Sequence, residues 1–225
     1  MNMYSQLRRT AVAAVLSLPL ALPVSADDPT DYVSPSGVDN PARMETAEGM
    51  TTDDLIAAMK EGGLVVFIRH AETERNWADQ VVAETDNCAT QRVLSEDGWH
   101  QAKEIGNQFR KHGIPYGDVI SSEYCRAWKT ADLAFGKYEQ NPDLNFVAAA
   151  TYVPGQWQLM SDNMTKYLTV MPPEGTNTIL VGHDDPFNAA TMIYPDPMGS
   201  VWVVQPHEDG KFQVLGSIAP EDWPS

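Results

Sequence analysis

The chain has 225 residues, 43% of them hydrophobic, and carries 31 acidic against 15 basic side chains for a formal charge of −16. That length suffices for one domain with a large core, and the apolar content is ordinary for a globular protein. A surface this acidic repels nucleic acid and anionic lipid headgroups, so an anionic ligand must be captured by a local cationic pocket.

Residues 1–26 read as a targeting segment. Arg8 and Arg9 supply a positive start, the run AVAAVLSLPLALPV at 11–24 has signal-peptide length, and Val24-Ser25-Ala26 offers small residues for cleavage. The alternative is an uncleaved N-terminal anchor. Cleavage would remove two arginines and no acid, leaving the mature chain still more acidic. No other segment is apolar enough to span a bilayer, so a periplasmic or secreted protein without stable membrane insertion is expected. Residues 27–50, rich in Asp, Pro, Ser and Gly, read as an extended N-terminal arm, and 51–225 as one domain.

A short helix is expected from Thr52-Asp53-Asp54, with Leu55, Ile56 and Met59 as its apolar stripe and Gly62-Gly63 as its stop. The run Leu64–Ile68 predicts a strand buried on both faces. Residues 71–93 read as a long loop. Ser95 caps a helix that buries Ala102, Ile105, Gly106 and Phe109 and ends at His112-Gly113. Asp118–Ser121 predicts a second buried strand and 123–135 a helix. Residues 137–163 read as loop, 164–170 as helix and Thr178–Val181 as a third buried strand. Strands at 201–204 and 212–215 flank Asp209-Gly210 as a terminal hairpin. Buried strands alternating with helices imply an α/β fold with a mainly parallel sheet, whose ligands sit at the carboxyl ends of the strands.

Three strand ends carry chemistry: Arg69-His70, Ser121-Ser122 leading to Arg126, and Gly182-His183. A lone histidine or arginine at such a place is usually structural, but the combination suits phosphoryl transfer. Arginine forks bind phosphate oxygens bidentately, a neutral imidazole can attack phosphorus, and a second histidine can stabilise the equatorial oxygens. Here RHAET at 69–73 resembles the Arg-His-Gly motif of the histidine phosphatases, with Ala71 in place of glycine. LSEDGWHQA at 94–102, SSEYCRAWKTA at 121–131 and LVGH at 180–183 are similar to the other motifs of that superfamily, in order and spacing.

The resemblance implies a three-layer α/β/α, phosphoglycerate mutase-like fold of branch 1. It implies His70 as the nucleophile, with its second ring nitrogen donating to a backbone carbonyl, and Arg69, Arg126 and His183 as the phosphate pocket. Thr73 and Asn76 match substrate-contacting positions of mutase-like members, though loop solvation accounts for them equally well. The region where such members carry an acidic proton donor reads ATYVPGQWQLM at 150–160 and has no acid. Asp184, directly after the second histidine, becomes the candidate donor; Glu72 or no dedicated acid are the alternatives, and a solvated turn is the plain reading of Asp184-Asp185. No metal or cofactor is expected. His183-Asp184 is compatible with a metal-dependent HD phosphohydrolase only if further ligands lay on helices.

Cys88 and Cys125 are an even pair, read either as a disulfide or as two buried thiols. The function expected is a metal-independent phosphomonoesterase acting through a phosphohistidine on a small extracytoplasmic substrate. The alternatives are a non-catalytic phosphate-binding protein, a phosphotransferase or a phosphoprotein phosphatase. Substrate identity and oligomeric state are not legible.

Overall fold

In the computed structural model, which describes residues 40–148 and 151–224, the first helix α1 is Thr52–Glu61. Its start is a capping box: the Asp54 N–H donates to the Thr51 hydroxyl at 3.3 Å, and the Thr51 N–H donates to the Asp54 carboxylate at 2.9 Å. The apolar run that follows is β1 (Val65–Arg69), buried along its whole length.

The remaining elements are α2 (Glu96–His112), β2 (Tyr116–Ser121), α3 (Cys125–Phe135), β3 (Glu139–Gln140), α4 (Gln156–Leu168), β4 (Asn177–Gly182), α5 (Asp184–Thr191), β5 (Val201–Pro206) and β6 (Phe212–Ile218). They build a six-stranded sheet in the order β3-β2-β4-β1-β5-β6. The pairs β2–β3, β2–β4 and β1–β4 are parallel, whereas β5 and β6 join antiparallel. This is the mixed α/β fold expected, with the terminal hairpin at the edge.

Alternation along β1 sorts the core into two layers. Val66 and Ile68 pack with Leu55 and Met59 of α1, Ile105 and Phe109 of α2, and Ala127 and Ala131 of α3. Val65 and Phe67 pack on the other face with Met164 and Leu168 of α4 and with Phe187 of α5. Phe67 and Phe187 stack with centroids 4.3 Å apart.

Two helices depart from the sequence expectation. The helix expected at 164–170 is α4 and begins at Gln156, because Trp157, Met160, Met164 and Leu168 form one buried stripe after a left-handed Gly155. Residues 156–163 are therefore not loop. Asp184-Asp185 opens α5 instead of a turn; acids and a proline both suit a helix's first turn. The short strand β3 was not expected.

The assembly of the motifs depends on one glycine. Gly98 of α2 lies against the Glu72 carbonyl so closely that any Cβ would collide with it. That contact seats α2 on the segment following β1, where the Ser95 N–H donates to the same carbonyl at 3.0 Å.

Of the arm expected at 27–50, residues 40–47 run beside β6: the Met44 N–H donates to the Phe212 carbonyl and the Ala47 N–H to the Val214 carbonyl, both at 2.9 Å. They cover the sheet's open edge. The expected targeting segment at 1–26 and the rest of the arm to residue 39 lie outside the described residues. Among those residues no helix is long and apolar enough to cross a membrane.

Candidate active site

The carboxyl ends of β1, β2 and β4 are adjacent in the sheet, so Arg69, His70, Ser122, Arg126 and His183 converge at one edge of it. His70 is 1% exposed. Its N–H donates to the Gly182 carbonyl at 2.9 Å, which locks the end of β1 to β4. Its Nδ1 lies 2.9 Å from the Ala71 carbonyl, an acceptor only, so Nδ1 holds the proton and Nε2 the lone pair. Arg126 Nε donates to that Nε2 at 3.2 Å. Burial, then the charge of Arg126, hold the His70 imidazole well below its ordinary pKa. The ring is thus neutral with Nε2 unprotonated, the protonation state a nucleophile requires.

His183, also 1% exposed, has its ring centroid 5.4 Å from that of His70. Its tautomer follows from a chain of hydrogen bonds. The Asn145 side-chain oxygen takes the Glu123 N–H at 2.9 Å, while the Asn145 amide donates to the Glu123 carboxylate at 2.8 Å. The Ser122 hydroxyl donates to that Asn145 oxygen at 2.7 Å and so must accept from His183 Nε2, 2.8 Å away. His183 Nδ1 is left buried without a partner among the described residues. Burial, then Arg126, keep this imidazole well below its ordinary pKa as well.

Arg69 is held by four acceptors. Its Nη2 donates to Asp184 Oδ2 at 2.6 Å and to the Tyr194 hydroxyl at 3.3 Å; its Nη1 donates to Asp196 Oδ1 at 3.0 Å and to the Pro195 carbonyl at 3.3 Å. Its Nε, buried, has no partner among the described residues. Arg126 Nη1 donates to Asp79 Oδ1 at 3.0 Å, and its guanidinium lies over the Phe146 and Tyr124 rings at 4.9 and 5.2 Å. Tyr194, Asp196, Asp79 and Asn145 were not anticipated from the sequence.

Asp184 is engaged twice, by Arg69 and by the Tyr194 hydroxyl, which donates to it at 2.7 Å. Burial pushes its carboxyl up, but Arg69 and Tyr194 outweigh that and hold it below the ordinary range. Burial and the neighbouring Asp184 charge instead raise the Asp185 carboxyl to about 7. Thr73 is buried, and its hydroxyl is 3.6 Å from the Met198 sulfur. Asn76 is exposed and lines a cavity with Trp77, Asp79 and Arg92. Glu72 pairs at the surface with Arg75 at 3.3 Å.

Cys88 and Cys125 are joined as a disulfide, with Cα atoms 5.7 Å apart. Beside it the buried Gln91 accepts the Cys125 N–H at 2.7 Å through its side-chain oxygen. The 71–93 loop is thereby fastened to the helix start that presents Arg126.

Residues 65–145 match the family model of the histidine phosphatase superfamily (branch 1). No curated protein matches the chain. Among solved structures, a mutant phosphoserine phosphatase from Entamoeba histolytica in complex with phosphoserine aligns with a TM-score of 0.52 at 15% identity, over 71% of this chain and 98% of that one. A phosphoglycerate mutase from Thermus thermophilus aligns at 0.49 and 20%, over 69% and 98%. The protein histidine phosphatase SixA complexed with tungstate aligns at 0.49 and 17%, over 70% and 97%. At these identities the likeness is one of fold alone, and the match to the superfamily model is confined to residues 65–145.

Proposed function

We propose that the chain is a histidine phosphatase: a phosphomonoester hydrolase working through a phosphohistidine on His70. One observation carries the reading. At the ends of the parallel strands, the unprotonated Nε2 of His70, which accepts from Arg126 Nε, stands with two buried nitrogens, Arg69 Nε and His183 Nδ1, that have no partner among the described residues. Buried polar atoms are ordinarily satisfied; an anion's oxygen would accept from Arg69 Nε directly and would meet His183 Nδ1 through a proton taken up on binding.

Arg69 and Arg126 bind the phosphoryl oxygens and offset their charge. His70 Nε2 attacks phosphorus in line as the ester oxygen leaves with a proton. Water then attacks the phosphohistidine and restores the imidazole. Asp184 is the proposed proton donor. In the free protein it is a carboxylate; a bound dianion competes for Arg69 and repels Asp184, and both effects raise its affinity for a proton. Acid and base work of this kind contributes 10²–10⁴-fold. No metal ion is required, since cationic side chains supply the charge. The site would act outside the cytoplasm, because the acidic chain begins with a signal-like segment.

His70→Ala should abolish phosphate release from p-nitrophenyl phosphate while the protein stays folded, and EDTA should leave wild-type turnover intact. Acid-labile, base-stable phosphate should be trapped on wild type alone. Substantial turnover by the alanine variant overturns the assignment.

A further inference from the structure

Arg92 differs from the other arginines around the site. Arg69 meets the carboxylates of Asp184 and Asp196, Arg126 meets Asp79, and Arg75 meets Glu72. The Arg92 backbone is anchored, its N–H donating to Asp79 Oδ1 at 2.7 Å, yet its half-buried guanidinium has no hydrogen bond or ion pair among the described residues. It lines a cavity of about 510 Å³ together with Arg75, Asn76, Trp77 and Asp79. That cavity adjoins the phosphate pocket, because Asp79 is shared: one carboxylate oxygen binds both the Arg92 N–H and Arg126 Nη1. The Arg92 charge reaches into the pocket too, disfavouring the protonated forms of Arg126 and His183.

The Arg92 guanidinium nitrogens are not among the buried atoms, so solvent meets them where no carboxylate does, although the fold has acidic side chains to spare. An anionic ligand group in the cavity can take that place and form a charge-assisted hydrogen bond with the guanidinium. We propose that Arg92, with Arg75 beside it, forms a second anion subsite, and that the substrate is a phosphomonoester carrying a second anionic group, a carboxylate or another phosphate. The inference rests on the phosphatase reading for its first anion, and Trp77, 56% exposed on the same cavity wall, offers the linking carbons an apolar face.

The test compares matched pairs at low ionic strength: glycerol 3-phosphate against 3-phosphoglycerate, and fructose 6-phosphate against fructose 1,6-bisphosphate. Wild type should favour the doubly charged member of at least one pair by about 10–100-fold in kcat/KM, the range of a charge-assisted hydrogen bond; which pair shows it identifies carboxylate or phosphate. Arg92→Ala should reduce that ratio tenfold or more, Arg92→Lys should restore part of it, and added salt should shrink it. The guanidinium makes no intramolecular bond, so the variant should melt no lower than wild type. Equal turnover within both pairs, or an equal loss on both members in Arg92→Ala, overturns the subsite. Calorimetric binding of the same compounds to His70→Ala protein reads the preference without catalysis. If no compound is hydrolysed by wild type yet the doubly charged member still binds better and loses that advantage in the His70→Ala, Arg92→Ala protein, the phosphatase reading fails and the subsite stands. If affinities are equal there as well, the subsite falls.

Discussion

His183 carries its proton on Nε2, and that single placement has a consequence for ligand binding. The Ser122 hydroxyl is committed to Asn145, so the histidine must donate to it, and Nδ1 is left with a buried, unpartnered lone pair in the proposed phosphate pocket. A phosphate oxygen cannot face a lone pair favourably; a proton has to enter between them. At pH 8, where phosphate is mainly a dianion, binding to Asp184→Asn protein, which cannot gain a proton at residue 184, should therefore take up about one proton. Calorimetry in buffers of different ionisation enthalpy reads this directly, and binding without proton exchange would reject the tautomer. The adjoining carboxylates raise a second question at this scale, which of Asp184 and Asp185 delivers the leaving-group proton. Asp184→Asn should slow alkyl phosphates by roughly 10²-fold or more and p-nitrophenyl phosphate far less, because nitrophenolate departs without help. The same selective loss in Asp185→Asn, and not in Asp184→Asn, would transfer the role to the carboxyl already raised to about 7.

Among the elements, the start of α3 depends on the loop before α2. Tyr124 gives that helix no side-chain cap; the Cys125 N–H is satisfied by Gln91 from the loop, and the disulfide to Cys88 closes the same joint. Arg126 is the next residue along. Replacing both cysteines by serine should cost about 3–4 kcal/mol by chain entropy and raise KM for phosphomonoesters, since the arginine's base is loosened. A urea titration and steady-state kinetics check both, and an unchanged KM would separate the joint from the site. Unreduced exported protein should offer no alkylatable thiol. The legibility of the elements in the sequence follows from how much each signals locally. β1 and β4 are unbroken apolar runs, and α2 is bracketed by Ser95 and Gly113, so their positions could be read off directly. The start of α4 could not, because its four large buried residues are separated by polar ones and preceded by Pro and Gly. Nor could α5, whose Asp-Asp-Pro start reads equally as a turn. The site divides the same way. His70 and His183 lie at strand ends that the pattern marks, and Arg126 in the first turn of α3, the helix that follows β2. Asp79, Tyr194 and Asp196 come from irregular segments, and Tyr194 and Asp196 reach Arg69 across more than 120 residues of chain, a pairing that no local period encodes.

For the molecule as a whole, the site makes stability a function of pH from two directions. His70 and His183 are buried and neutral, each with a pKa depressed chiefly by burial and then by Arg126. When pH falls through about 6.5 the unfolded chain protonates both imidazoles, while the folded one does not. The unfolded state then binds more protons, so unfolding free energy falls with pH by about 1.4 kcal/mol per unit for each histidine. Asp185 acts with the opposite sign. Its folded pKa of about 7, raised by burial and by Asp184, means that the folded protein keeps a proton the unfolded chain gives up near pH 4. Its contribution is therefore present in acid and lost as pH rises to about 7, above which a partly buried second carboxylate opposes folding beside Asp184. The net charge of −16 adds general repulsion in the same alkaline range. Asp185→Asn keeps the shape and removes that carboxylate. Allowing for screening at a partly exposed side chain, it should stabilise the protein by about 1–2 kcal/mol at pH 8 and by progressively less toward pH 5. Urea titrations of wild type and variant across that interval give the difference curve. A difference that is flat with pH would mean that Asp185 does not titrate near neutrality, and one that grows toward acid would mean that its carboxylate, not its acid form, is what the fold holds.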